Sequence, residues 1–282
     1  MNVFITGGNG MLGRTLQRRL RQHELFIADL PEVDIAVGGC VEQAVAAFRP
    51  AVIIHCAAMT QVDACETEPD KAYRINALGS ANVACAAARH GARMIAVSTD
   101  YVFDGSLDRP YHEFDAPGPR TVYGASKWAG EEAVRRHCPD HTIVRIAWLY
   151  GENGPSFLHT MLKLGEQGGG PLKLVDDQVG NPTSTDAVAE LIGRLLADPI
   201  PGVVHGSCEG ESTWYGFARE IFARAGIARE AVPCSTAEFP RPAPRPANSR
   251  LEKRMLRLAG FSPMPHWKEA LEAYFHAHPS RA

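Results

Sequence analysis

Strand and helix patterns that alternate with short connections, a glycine run straight after the first strand, and apolar runs of strand length predict an α/β protein. The expected architecture is a Rossmann-type doubly wound parallel sheet with a smaller C-terminal lobe. The chain begins with the apolar strand pattern Asn2-Val3-Phe4-Ile5-Thr6 and then reads Gly7-Gly8-Asn9-Gly10-Met11-Leu12-Gly13. Leu12, Leu16 and Leu20 follow at helical spacing. Glycines at 7, 10 and 13 permit a tight turn and close approach of a diphosphate, and the free N–H groups of Met11 and Leu12 at the helix start would meet that anion. This is a dinucleotide-binding pattern.

The second strand, Leu25–Ala28, ends at Asp29, where such folds place an acid on the adenosine ribose hydroxyls. That carboxylate leans toward NADH. Arg14, Arg18 and Arg19 on the first helix leave NADPH open, because one of them could meet a 2′-phosphate. Asp34 and Ile35 either border an adenine or belong to a solvated loop.

A helix is expected around 41–48, a strand at 52–55, a long Ala-rich helix at 72–90 and a strand at 94–98. A helix carrying Tyr123 and a strand at 142–146 complete the first half. Ligands of such sheets sit at the carboxyl ends of the strands, which here read Cys56-Ala57-Ala58-Met59, Ser98-Thr99-Asp100 and Ala147-Trp148. Beyond residue 150 the pattern loosens. Gly168-Gly169-Gly170-Pro171 and the proline-rich 240–246 run break it, and helices are expected near 157–167, 186–196, 214–225 and 267–276. The reading divides the chain into a nucleotide-binding domain over 1–150 and a mainly substrate-binding lobe over 151–282, with the chain free to cross between them.

Composition excludes several function classes. A chain of 282 residues with 45% hydrophobic content can bury a large core. A net charge of −3 and a pI near 6.4 give no basic footprint for nucleic acid. Apolar runs are too short to span a membrane, and the N-terminal run meets glycine at once, so a cytoplasmic protein is expected. Seven cysteines without a Cys-x-x-Cys pair read as reduced thiols, and eleven histidines lack metal-ligand spacing.

Tyr123 and Lys127 stand four residues apart on one helical face, so a cation can tune the proton affinity of a phenol. Together with the glycine run and Thr99 they resemble the extended short-chain dehydrogenase/reductase superfamily. Within it the chain resembles the dTDP-4-dehydrorhamnose reductases, through Ala57-Ala58-Met59-Thr60-Gln61-Val62-Asp63, Ser98-Thr99-Asp100-Tyr101-Val102-Phe103, Trp148-Leu149-Tyr150, Asp177-Gln178-Val179-Gly180-Asn181-Pro182-Thr183 and Arg245-Pro246-Ala247-Asn248-Ser249.

The resemblance implies reduction of the C4 ketone of a nucleotide-linked 6-deoxy sugar by NADPH or NADH. Tyr123 would supply the proton, Thr99 would fix the ketone oxygen, and Lys127 would lower the phenol's pKa and hold the nicotinamide ribose. Ala57, Ala58 and Met59 would line the cofactor, and Thr60, Val62, Asp100 and Tyr101 the sugar. Related dehydratases place a glutamate where this chain has Tyr101, which favours plain reduction. Trp148 is either an aromatic wall for the sugar or core. Asn181, Arg245 and Asn248 either meet the diphosphate or base, or pin loops. Some relatives carry an acid at the position of Thr15 that helps to bind magnesium between subunits, so a monomer or metal-independent homodimer is expected. Other functions stay open: another sugar-nucleotide 4-ketoreductase or a 4-epimerase of the same superfamily, and a non-catalytic regulatory subunit resembling the methionine adenosyltransferase beta subunit.

Overall fold

In the computed structural model, which describes residues 1–278, the apolar runs of the first half become parallel strands. They are β1 (Asn2–Thr6), α1 (Met11–Arg19), β2 (Glu24–Ala28), α2 (Gly38–Phe48), β3 (Val52–His55), α3 (Val62–Thr67), α4 (Pro69–Tyr73), α5 (Ser80–Arg89), β4 (Arg93–Thr99), α6 (Val122–His137) and β5 (His141–Ile146). The second half adds β6 (Leu149–Tyr150), α7 (Phe157–Glu166), β7 (Leu172–Val175), β8 (Val179–Gly180), β9 (Thr183–Ser184), α8 (Thr185–Ala197), β10 (Gly202–His205) and β11 (Ser212–Thr213). It ends with α9 (Trp214–Arg224), β12 (Ala231–Cys234), β13 (Asn248–Ser249), α10 (Arg254–Leu258) and α11 (Trp267–Ala277).

Six parallel strands form the central sheet in the order β10-β5-β4-β3-β1-β2, the doubly wound arrangement expected. Both faces are covered, so the strands are apolar on both sides. Val3, Ile5, Ile54, Ile95 and Val144 pack with Leu12, Leu16 and Leu20 around α1 and with Leu191 and Leu195 of α8. Their alternates Phe4, Ile53, Met94 and Ile143 pack with Val41, Val45, Val83 and Val134 of α2, α5 and α6. The connections turn to opposite sides of β1, which creates a crevice between the ends of β1 and β3.

Two features bear on the expected layout. Residues past 150 return to the sheet: β10 pairs with β5 as an edge strand, and Thr185 of α8 accepts a hydrogen bond from Thr15 of α1. The Ala-rich helix is also interrupted, because a π-helical turn over 74–79 separates α4 from α5. That turn drives Asn76 fully inside, where it brackets the Met59 backbone N–H and C=O and donates to Ser126 Oγ. Such turns recur where a functional loop must be held. The remaining short sheets, β11-β8-β13, β12-β7 and β6-β9, are built from residues past 148. Among the described residues no helix is long and apolar enough to cross a membrane.

Candidate active site

A cleft of about 1140 Å³ runs along the carboxyl ends of the strands, larger than the pocket of one small ligand. At its floor Gly7 has φ +65°, and a Cβ there would lie 2.6 Å from the Ala57 backbone nitrogen. Only glycine lets the turns after β1 and β3 approach this closely. Helix α1 then starts without a side-chain cap or an acid in its first turn, so its N–H groups remain available to an anion. A cramped glycine turn leading to an open helix start fits a dinucleotide diphosphate.

Asp29 is spent locally: Oδ2 accepts from the Asn9 N–H at 2.8 Å and Oδ1 from the Leu30 N–H at 2.9 Å. Asp34 accepts from the Ala36 N–H, which shapes the loop beside the cleft. Of the three arginines considered for a 2′-phosphate, Arg18 and Arg19 are tied to Asp186 of α8, and Arg14 Nε donates to the Asn9 carbonyl.

The chemistry lies where β4 meets α6. Thr121 caps α6 by accepting the Gly124 N–H at 3.0 Å, which fixes the first turn carrying Tyr123. Lys127 follows one turn later, and its Nζ donates to the Val97 carbonyl of β4 at 2.8 Å. The Thr99 hydroxyl lies close enough to the Tyr123 phenol to favour its charged form, and the Tyr123 ring packs edge-on against Tyr101 with centroids 5.4 Å apart. Burial pushes the phenol well above its ordinary value, although the Thr99 hydroxyl pulls the other way. The expectation that Lys127 lowers this pKa is therefore not met: its ammonium is held by Val97, and desolvation outweighs any help. Burial brings Lys127 itself down to about 8, against the pull of Glu131 and Cys56. Asp100, buried beside Thr99, is pushed up to about 6. His55 beneath the site bridges Thr6 Oγ1 and Ser80 Oγ, and burial holds it neutral.

The structure gathers Gly7, Gly10, Met11, Leu12, Gly13, Asp29, Asp34, Ile35, Ala57, Ala58, Thr60, Val62, Thr99, Asp100, Tyr101, Tyr123, Lys127 and Trp148 around this cleft. Four other expected residues fall outside it. Met59 is buried with its backbone held by Asn76. Asn181 donates to the Gly210 carbonyl and accepts from the Leu251 N–H. Asn248 donates to the carbonyls of Leu107 and Arg109. Arg245 forks onto Asp63 at 2.8 and 2.9 Å. Their polar atoms are consumed in pinning loops.

Trp214 was missed, yet it lines the cleft stacked on Trp148 with ring centroids 3.5 Å apart. Trp148 adopts φ +48°, and a Cβ on Gly180 would come within 2.4 Å of its ring. Trp214 is fixed in turn by its Nε1–H donating to Gln178 Oε1 at 2.9 Å. Lys71 and Arg74 also reach the cleft, a signal carried by two cations near the start of an otherwise Ala-rich stretch.

Residues 1–279 match the family model described as the RmlD substrate binding domain. The chain belongs to that family. It is 42% identical to a dTDP-4-dehydrorhamnose reductase of Streptomyces griseus, over 99% of this chain and 94% of the relative. It is 40% identical to the spore coat polysaccharide biosynthesis protein SpsK of Bacillus subtilis, over 96% of each. Among solved structures, the dTDP-4-dehydrorhamnose reductase of Bacillus anthracis in complex with NADP superposes with a TM-score of 0.96 at 42% identity, covering 98% of this chain and 99% of that one.

Proposed function

We propose that this chain reduces the C4 ketone of dTDP-4-dehydro-6-deoxy-L-mannose (dTDP-4-dehydrorhamnose) to dTDP-L-rhamnose, the final step of dTDP-rhamnose biosynthesis, with NADPH or NADH. The observation that carries this reading is the Tyr123 phenol, half-buried beside Thr99 one helical turn from Lys127, in the cleft that also holds the open start of α1. The relatives near 40% identity over almost the whole chain support the substrate class.

When bound, the reduced nicotinamide supplies the hydride. Met11, Leu12 and the glycine turn would hold its diphosphate, and Lys127 its ribose. Tyr123 presents its hydroxyl to the ketone oxygen, and Thr99, whose hydroxyl rests on Asp100 Oδ1, would turn to join it, orienting the carbonyl and stabilising the negative charge that grows there. Tyr123 then protonates the alkoxide. A phenol held above its ordinary pKa is fully protonated at neutral pH, as a proton donor must be. Trp148, Trp214 and the second lobe would wall the sugar. Thr15 is buried against Thr185, which supports a monomer or metal-independent homodimer over one bridged by a cation at this position.

The ribose contact makes cofactor binding pH-dependent. Lys127 is charged below about pH 8 and neutral above it, so KM for the reduced cofactor is expected to rise as pH passes 8. In Lys127→Met that alkaline rise should vanish, because KM is high throughout. An alkaline rise persisting in the variant would assign it to another group.

The functional reading is tested by nicotinamide oxidation with freshly generated dTDP-4-keto-6-deoxy-L-mannose, NADPH and NADH in parallel. Sugar-dependent oxidation is expected. Protein that purifies with stoichiometric NAD and turns over without added reductant would instead identify an epimerase.

A further inference from the structure

His55 is a buried imidazole that the reduction described above leaves without a task. It ends β3 beneath the cleft, and none of Thr6, His55, Asn76, Ser80 and Ser126 lines the cleft itself. All five side chains are buried and joined to one another. His55 Nδ1 lies 2.7 Å from Thr6 Oγ1, which also accepts the Ala57 N–H at 3.3 Å. His55 Nε2 lies 2.9 Å from Ser80 Oγ, and the Ser80 hydroxyl donates to the Asn76 carbonyl at 2.7 Å. The Asn76 side-chain amide continues the chain by donating to the Met59 carbonyl and to Ser126 Oγ. The Ser126 hydroxyl then donates to the Tyr123 carbonyl at 3.0 Å.

Every proton in this chain has one allowed place. A carbonyl can only accept, so the single Ser80 hydroxyl proton is spent on Asn76, and Ser80 Oγ must accept from the ring. His55 therefore carries its proton on Nε2. A neutral ring then has only a lone pair at Nδ1, so the Thr6 hydroxyl donates to it. Burial and the nearby Lys127 ammonium hold the ring uncharged. The chain leaves the ring in two arms. One runs through Thr6 to the neighbouring Gly7 and to the Ala57 turn, both on the cofactor side of the cleft. The other runs through Ser80, Asn76 and Ser126 to the first turn of α6. Helix α6 presses directly on this second arm, since a Cβ on Gly130 would fall 2.3 Å from the Asn76 carbonyl oxygen and 3.0 Å from Ser80 Oγ.

We propose that His55, as its Nε2–H tautomer, is a positioning residue that sets the separation between the cofactor turn and the helix carrying Tyr123. Hydride and proton go to adjacent atoms of one carbonyl, its carbon and its oxygen, so the two donors must be held in register. A misplacement of about 1 Å costs on the order of 10²-fold in rate, even when its cause lies far from the reacting atoms. A planar ring with a nitrogen toward each neighbour suits this task, because it holds two hydroxyls, one from β1 and one from α5, at a fixed spacing. His55 acts only through Thr6 and Ser80 and transfers no proton itself.

This inference rests on the proposed ketone reduction, so part of its test needs no sugar. An amide can replace one ring nitrogen at a time: His55→Asn puts a carbonyl oxygen near the Nδ1 position, and His55→Gln puts an N–H near the Nε2 position. In His55→Gln the Ser80 arm survives, so kcat should stay within about threefold while the dissociation constant of the reduced cofactor, read by fluorescence titration, rises about tenfold. In His55→Asn the Thr6 arm survives, so cofactor affinity should stay within about threefold while kcat falls about thirtyfold. Thr6→Val and Ser80→Ala each delete one arm and leave the ring in place, so they should reproduce the first and the second pattern respectively. A pair of variants that loses both quantities together, or neither, overturns the positioning role. In the free wild-type protein, nitrogen NMR of the imidazole should show a bare Nδ1 and a protonated Nε2 at neutral pH. A proton on Nδ1, or a charged ring, overturns the chain whatever substrate the enzyme takes.

Discussion

Replacing Tyr123 by phenylalanine is expected to lower kcat by about 10²–10⁴-fold while cofactor affinity stays within about threefold. The substitution removes the only hydroxyl on that side chain but keeps the ring that packs edge-on against Tyr101. Thr99 would still orient the ketone, yet its proton is already engaged with Asp100. The alkoxide would then have to take its proton from water, a weaker and unplaced acid compared with a positioned phenol. Steady-state kinetics at neutral pH, paired with a fluorescence titration of the reduced cofactor, separates the two quantities. A kcat within about threefold of the wild type would place the proton elsewhere.

The second large effect concerns stability. Glu131 and Arg145 are buried at 2% and 1% side-chain exposure and joined by Nε–Oε1 and Nη2–Oε2 contacts of 2.9 and 2.7 Å. Ser98 donates to Oε1 at 2.6 Å and Arg135 to Oε2 at 3.0 Å, so one carboxylate ties α6 to β4 and β5. Burial opposes the Glu131 charge, but Arg145, Ser98 and Arg135 together hold the carboxyl below its ordinary range. Glu131→Ala leaves the Arg145 guanidinium buried against Phe103 and Trp128 with no carboxylate. Breaking one partner of such a pair costs about 3–5 kcal/mol. A urea titration should show a lower midpoint at an unchanged slope. A loss below about 1 kcal/mol would mean that water reaches the pair, since exposed pairs are worth no more than that. Because Ser98 precedes Thr99 and Glu131 follows Lys127 by one turn, this knot also sets the distance between the strand end and the catalytic helix.

The sheet was legible because its information is local. Residues 51–54 are a continuous apolar run, and Leu12, Leu16 and Leu20 repeat at helical spacing, so each element declares itself. Strand β10 did not: Gly202–His205 is four residues long, and its partner β5 lies some sixty residues earlier, a pairing that no local pattern records. The π-helical turn at Asn76 was hidden for a related reason, because an asparagine in an alanine-rich helix reads as a surface residue until Met59 and Ser126 are seen to hold it. The site divides in the same way. Glycines 7, 10 and 13 and the Tyr123 and Lys127 spacing carry their chemistry in one short segment. Asn181, Arg245 and Asn248 have donors suited to a diphosphate, but Gly210, Asp63, Leu107 and Arg109 consume them from segments distant in sequence. Trp214 was missed for the opposite reason, since only folding brings it flat against Trp148.

The cleft is expected to deliver hydrogen to C4 of a dTDP-linked 4-keto-6-deoxy sugar, with Tyr123 completing the alcohol. Turnover with a reduced cofactor deuterated at the transferring position, followed by NMR of the sugar nucleotide, tests it most directly. One deuterium at C4 of dTDP-L-rhamnose per cofactor oxidised is the predicted result, at a rate that falls in Tyr123→Phe in proportion to its kcat. Cofactor oxidation without deuterium at C4, or conversion of the sugar without net oxidation, would contradict it.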